Sequence, residues 1–205
     1  HPWTRRQRQM CIRDSYDAVD VKQATLSNVK VTNTPDVLND EVADTAIALT
    51  LCVYKNIALA NQFLLEKKWL KSEYPLSKKF SGTKFGILGM GRIGKTIAKR
   101  IESFNCEICY HSRNQKDVKY KYFSKLEDLA EYVDTLCVIT PGGEETKHLV
   151  NANVLQKLGK NGFLINIARG TVIDQKALIY ALQNNIIRGA GLDLSLIHIS
   201  EPTRL

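Results

Sequence analysis

Asn28 to Asn33 (NVKVTN) alternates apolar and polar positions, the period-two pattern of a half-buried strand, and Thr34-Pro35 closes it. The period then changes. From about Asp40 into the sixties apolar residues recur at helical spacing. Val42, Ala46, Leu49 and Val53 form one face and Ala43, Ile47 and Leu51 fill much of the rest, so a helix buried nearly all round is expected. Glu66 to Gly82 is charged and irregular, with Trp69 and Pro75. From Thr83 strands and helices alternate regularly. Phe85–Leu88 reads as a strand, Arg92–Phe104 as a helix with Ile93, Ile97 and Ile101 four apart, Cys106–Tyr110 as a second strand and Tyr120–Phe123 as a short third. Ser124-x-x-Glu127 is a capping box for a helix over roughly 125–132. Asp134–Thr140 is a strand stopped by Pro141-Gly-Gly. Asn151 caps a short helix, Gly162–Ile167 is a strand, Asp174 caps Gln175–Asn184, and Ile186–Leu192 is the last strand. This alternation predicts an α/β fold, a doubly wound parallel sheet with right-handed crossovers.

Composition changes the picture little. The 44% hydrophobic and 24% charged fractions are those of an ordinary globular chain. No apolar run approaches the roughly 18–20 residues of a membrane span, so no membrane partner is expected. The arginines at 5, 6, 8 and 13 are followed by no apolar stretch, which argues against a secretory signal. Five dispersed cysteines do not form a disulfide framework. Cys106 and Cys109 are three apart on a strand and so point to opposite faces, unable to share a metal. A reducing cytoplasm is the expected location. The net charge of +8 fits an anionic ligand, yet no basic stripe carries interleaved aromatics, and nucleic acid is not expected.

The chemistry begins at Gly89-Met-Gly91-Arg92-Ile93-Gly94, a G-x-G-x-x-G sequence between a strand and a helix. In that context Gly89 permits the tight turn, Gly91 lets backbone approach a pyrophosphate and Gly94 lets the helix pack on the sheet. The free N–H groups of the helix start then meet the phosphates. An NAD site usually carries a carboxylate at the end of the second strand, about 20 residues on, for the ribose 2′-hydroxyl. Here Tyr110-His-Ser-Arg-Asn114 has none. Ser112 can donate a hydrogen bond and Arg113 can pair with a 2′-phosphate, which favours NADP(H), with NAD(H) as the other dinucleotide such a site takes.

From about Val19 to Asp193 the chain resembles the D-2-hydroxyacid dehydrogenases. The resemblance rests on ordered blocks: Val31-Thr-Asn-Thr-Pro-Asp-Val-Leu, Glu41-Val-Ala-Asp, Gly86 to Gly94, Asn166-Ile-Ala-Arg-Gly170 and Gly189-Ala-Gly-Leu-Asp193. Pro141-Gly-Gly and Tyr110-His-Ser-Arg113 look most like the branch that reduces glyoxylate, hydroxypyruvate and hydroxyphenylpyruvate. The resemblance implies a substrate domain built from both ends of a chain around a central cofactor domain. On it, residues 16–40 read as a remnant of the substrate domain and 41–193 as the dinucleotide-binding domain. It implies that Arg169 is the catalytic arginine that holds the substrate's carboxylate and carbonyl, that Thr140, Pro141, Ile167 and Ala168 line the nicotinamide side, and that Asp193 binds the carboxamide. A small 2-oxo or 2-hydroxy acid is the implied partner, and a homodimer through the long helix and the Glu66–Gly82 arm the implied assembly.

Against that pattern roughly seventy to eighty residues of the first substrate-domain segment are expected to be missing. Residues 1–15 and 194–205 read as non-native, since Arg6 to Ser15 and Leu194 to Leu205 resemble translated sequencing-adapter DNA. The family's catalytic glutamate should fall at position 198, which is His198, and its histidine beyond Leu205. His111 and His148 read as surface histidines. The chain alone is therefore expected to bind cofactor without turnover. The alternatives are a phosphoglycerate dehydrogenase-like enzyme, which usually has an acid where Ser112-Arg113 stand, a dehydrogenase-like nucleotide-binding corepressor, and a product of contaminated assembly with no function.

Overall fold

The computed structural model describes residues 19–32 and 36–193. The chain forms two compact units, His1–Glu41 and Val42–Leu205. In the first, α1 (Val21–Leu26) starts at Asp20, whose side chain accepts from the Gln23 N–H at 2.9 Å. The expected strand at Asn28–Asn33 does not form over its described residues, and Val29 stays 58% exposed. An alternating segment becomes a strand only where a neighbouring edge takes up its N–H and C=O groups.

In the second unit, six parallel strands run in the order β3-β2-β1-β4-β5-β6. They are β1 (Lys84–Leu88), β2 (Glu107–His111), β3 (Lys121–Tyr122), β4 (Thr135–Val138), β5 (Phe163–Asn166) and β6 (Gly189–Leu192). The central strands are buried on both faces, as continuous apolar runs such as Thr135-Leu-Cys-Val138 require. Alternate residues feed two cores. Phe85, Ile87, Ile108, Tyr110, Cys137 and Ile165 face α2 (Asn39–Lys55) and α4 (Arg92–Glu102). Leu88, Cys109, Leu136, Val138 and Leu164 face α5 (Leu126–Tyr132), α6 (Ala152–Leu158) and α7 (Gln175–Gln183). Cys106 and Cys109 accordingly pack into opposite layers, and Cys106 Sγ lies against the Phe80 carbonyl.

The long helix departs from expectation twice. Only Ala43, Ala46, Thr50 and Tyr54 are fully buried, one stripe at helical spacing, while Val42, Leu49 and Val53 are half-buried. It also breaks at Asn56, which takes the left-handed conformation (φ 51°) that asparagine tolerates, and α3 (Ile57–Leu65) departs at 55°. The capping box at Ser124 is not used, because α5 begins one residue later than it requires. Lys125 is the cap, and Glu127 and Asp128 meet the positive end of the helix instead. Asn151 and Asp174 do cap α6 and α7, each accepting a backbone N–H at 3.1 Å.

Candidate functional site

The strand order reverses between β1 and β4, and the loops after β1, β2 and β4 leave the same edge of the sheet. In an open parallel sheet that crevice is where a ligand binds. A cavity of about 560 Å³ opens there, lined from three loops: Leu88–Gly91, His111–Lys116 and Thr140–Thr146.

The glycine loop forms its floor. Gly89 has φ 111°, open only to glycine at low cost, and a Cβ there would lie 3.1 Å from the Ile139 carbonyl. A Cβ on Gly94 would collide with the Gly89 carbonyl oxygen, so this glycine lets α4 start hard against the loop. Gly91 differs: a Cβ would meet nothing within 4 Å. It faces open space, a cradle that a side chain would fill. As the cap residue of α4 it offers no side-chain acceptor, and the first turn contains no acid. The partial positive charge of the helix start is left for an anion.

One end of the cavity is set by the loop after β2. Tyr110, fully buried, ties it down: its Oη accepts from the Lys116 N–H at 2.8 Å and donates to the Lys116 carbonyl at 3.0 Å. Ser112 Oγ donates to the Asn114 carbonyl at 2.7 Å. Arg113 Nη1 pairs with Glu145 Oε2 at 2.9 Å. His111 is not the surface histidine expected. As the last residue of β2 beside β3 it is half-buried, its Nδ1 2.9 Å from the Phe123 carbonyl oxygen. His148 is exposed, as expected, and His198 lies outside the described residues.

The opposite wall is the loop after β4. Thr146 Oγ1 donates to the Pro141 carbonyl at 2.8 Å and fixes its curl. Thr140 Oγ1 is buried and is the only such side-chain oxygen or nitrogen without a partner among the described residues. An orphaned buried hydroxyl on a cavity wall calls for a ligand group. A Cβ on Gly142 would come 2.9 Å from Arg169 Cγ, so the arginine packs along this wall. Its turn is organised by buried Asn166, whose Oδ1 accepts from the Ala168 N–H at 3.1 Å and whose carbonyl accepts from the Asp193 N–H at 2.9 Å.

Of the expected site residues, Gly89, Gly91, Ser112, Arg113, Thr140 and Pro141 line one cavity. Arg92, Ile93 and Gly94 form the first turn of α4 behind it. Ile167 and Ala168 are buried beside Arg169, and Asp193 is exposed just past β6. Lys116 and Glu145 also line the cavity and carried no signal in the sequence beyond their charge. The open cradle at Gly91 and the free Thr140 hydroxyl fit a dinucleotide.

Sheet order, glycine loop and cavity define a dinucleotide-binding module of the Rossmann type. The chain belongs to the D-isomer specific 2-hydroxyacid dehydrogenase family: the sequence model of that family's NAD binding domain matches residues 47–200. It is 44% identical over 179 residues to glyoxylate/hydroxypyruvate reductase A of Arabidopsis thaliana, covering 87% of this chain and 57% of the relative. It is 42% identical to hydroxyphenylpyruvate reductase of Plectranthus scutellarioides, with the same coverage. An NADPH-dependent glyoxylate/hydroxypyruvate reductase from Sinorhizobium meliloti, solved with NADP and malonate, superimposes with a TM-score of 0.86 at 44% identity, over 93% of this chain and 60% of that one. The chain thus spans about 57% of the length of the curated relatives it matches.

Proposed function

We propose that this chain is the nucleotide-binding part of an NADPH-dependent reductase of small 2-oxo acids, with hydroxypyruvate, glyoxylate and hydroxyphenylpyruvate as the candidate substrates. One observation carries the reading: the stretch Ser112 to Lys116 after β2, which holds no carboxylate, brings Arg113 and Lys116 to the cavity whose other wall packs against Arg169. The Sinorhizobium reductase, similar in fold and sequence, was solved with NADP, which supports it.

When bound, the dinucleotide supplies the hydride. The work of the chain is to hold and orient. Gly91 and the start of α4 take the pyrophosphate, Arg113 the 2′-phosphate, and Asp193 the carboxamide. Arg169 grips the substrate's carboxylate and carbonyl oxygens with a planar fork and polarises the carbonyl. The proton belongs to a histidine–glutamate pair for which residues 1–205 offer no match. Loss of a positioned general acid costs typically 10²–10⁴-fold, so the 205-residue chain binds nucleotide without measurable turnover. Hydroxypyruvate- or glyoxylate-dependent NADPH oxidation by this chain that disappears in Arg169→Ala would show that the proton donor lies within it.

Calorimetric titration with NADPH and NADH tests the cofactor. Charge-assisted bonds to the 2′-phosphate contribute roughly 1.5–3 kcal/mol each, or about one to two orders of magnitude in affinity. Arg113→Asp removes most of that preference. Equal affinity of the unsubstituted chain for the two would overturn the assignment.

A homodimer is part of the proposal. None of the residues of α3 is buried, and Leu59, Leu64, Leu65, Trp69, Leu70 and Leu76 are all more than half exposed. An apolar arm of this extent is the mark of an interface. Sedimentation at micromolar concentration showing only monomer would refute it. A reducing cytoplasm fits the four described cysteines, all free.

A further inference from the structure

We propose that Glu145 is a specificity-determining residue: it is the resident counter-ion of Arg113, which a 2′-phosphate must displace, and it thereby limits the preference for NADPH over NADH. The inference rests on reading Arg113 as the 2′-phosphate ligand.

Ser112 to Lys116, the stretch after β2 that reaches the cavity, contains no carboxylate, but the fold delivers one from elsewhere. Glu145 lies in the short 3₁₀ turn Glu144–Thr146 after β4, 32 positions beyond Arg113, and its Oε2 sits 2.9 Å from Arg113 Nη1. Both residues line the one cavity. The backbone on each side is held, by Tyr110 on the Arg113 loop and by Thr146 on the Glu145 loop, so the two loops present these side chains within reach of each other across the cleft. The remaining acid of that turn, Glu144, is directed to Lys147 at 3.9 Å. Glu145 is therefore the carboxylate committed to Arg113.

The pair is open to water, with Arg113 85% and Glu145 80% exposed. An exposed ion pair is weak and screened, and an incoming dianion can replace it. The two dinucleotides meet it differently. NADH presents a neutral 2′-hydroxyl, so Arg113 and Glu145 can stay together and the local charge stays balanced. NADPH presents a phosphate that can take the guanidinium only by parting it from Glu145. Specificity is a difference of affinities, and the cost of breaking this pair falls on one side of it only. Removing the carboxylate therefore raises the NADPH-to-NADH affinity ratio. A residue that merely positioned Arg113 would lower the ratio when removed.

The experiment is a calorimetric titration of NADPH and NADH into the 205-residue chain and its Glu145→Gln, Glu145→Ala, Arg113→Ala and Arg113→Ala/Glu145→Gln variants, at low and high salt. The expected result is a ratio about fivefold higher in both Glu145 variants, the full worth of an exposed ion pair, shrinking as salt rises. The Gln substitution has no such effect once Arg113 is gone. An unchanged or lower ratio in the Glu145 variants, with a collapse of the ratio in Arg113→Ala, overturns this inference and leaves the NADPH reading standing. An equal rise with and without Arg113 shows a general field effect and also overturns it. A ratio indifferent to Arg113→Ala overturns the underlying reading instead.

Discussion

Gly91→Ala separates nucleotide binding from folding at one atom. The residue has φ −84° and ψ −158°, a backbone that alanine adopts freely, and a Cβ there meets nothing within 4 Å. The unliganded protein should lose no stability. It should gain up to about 0.4–1 kcal/mol, because alanine has less conformational entropy to lose on folding. On the proposed function the same methyl stands where the pyrophosphate approaches. Displacing the phosphates from a single helix-start N–H forfeits roughly 1.5–3 kcal/mol, about ten- to a hundredfold in Kd. Thermal denaturation reads both quantities. At a ligand concentration of 100 times the parent Kd, NADPH stabilises by about 2.7 kcal/mol, and a tenfold weaker site by about 1.4 kcal/mol. The ligand-induced shift should therefore halve or vanish while the unliganded melting point stays put or rises. Gly94→Ala is the contrast, since its Cβ collides with the Gly89 backbone, and overpacking of that kind costs about 1–3 kcal/mol without any nucleotide. If Gly91→Ala lowers the unliganded melting point as much as Gly94→Ala, or binds NADPH unchanged, the pyrophosphate does not sit in this cradle.

Two further outcomes concern the core. Tyr54 Oη and Thr135 Oγ1, both buried, share a hydrogen bond of 2.8 Å. Tyr54→Phe should cost about 1–3 kcal/mol in urea denaturation by orphaning the threonine hydroxyl, and adding Thr135→Val should recover much of it. Burial pushes the Cys137 thiol up to about 12 from an ordinary value near 9. A raised acid in the folded state means the unfolded chain ionises first, so the contribution of this thiol is whole below about pH 9 and is lost as pH rises toward 12, at about 1.4 kcal/mol per pH unit. Denaturation curves between pH 8 and 10.5 should be flatter by that slope in Cys137→Ala, and identical slopes would refute the assignment.

The sheet could be read from the sequence because its central strands carry their own signal. Phe85–Leu88 and Asp134–Thr140 are apolar runs too short for helices and bounded by turns, and β1 and β4 fall inside them or within a residue of them. The misreadings arise where the outcome depends on something outside the segment. Asn28–Asn33 alternates like a strand, but alternation describes a face and supplies no partner edge. The long helix is apolar on most sides, but how deep each side lies depends on what covers it. The underside of the sheet covers Ala43, Ala46, Thr50 and Tyr54, and the neighbouring valines and leucines stop at half burial. Asn56, inside that apolar run, was the one local cue that the helix would break.

The site divides along the same line. The glycine loop is legible because its three glycines answer constraints within six residues: a turn, an open cradle and a helix packed on its own loop. Ser112 and Arg113 are legible because they stand at a fixed offset from it. The acid that shares their cavity is not, because no local rule connects Arg113 with a glutamate 32 positions on. The link is topological. β1 lies between β2 and β4, so the loop after β1 is flanked on one side by the loop carrying Arg113 and on the other by the loop carrying Glu145. The charge at this end of the cavity is therefore a property of the strand order as much as of the fingerprint. A reading of cofactor preference that stops at the residues after β2 counts the arginine and misses the carboxylate that opposes it.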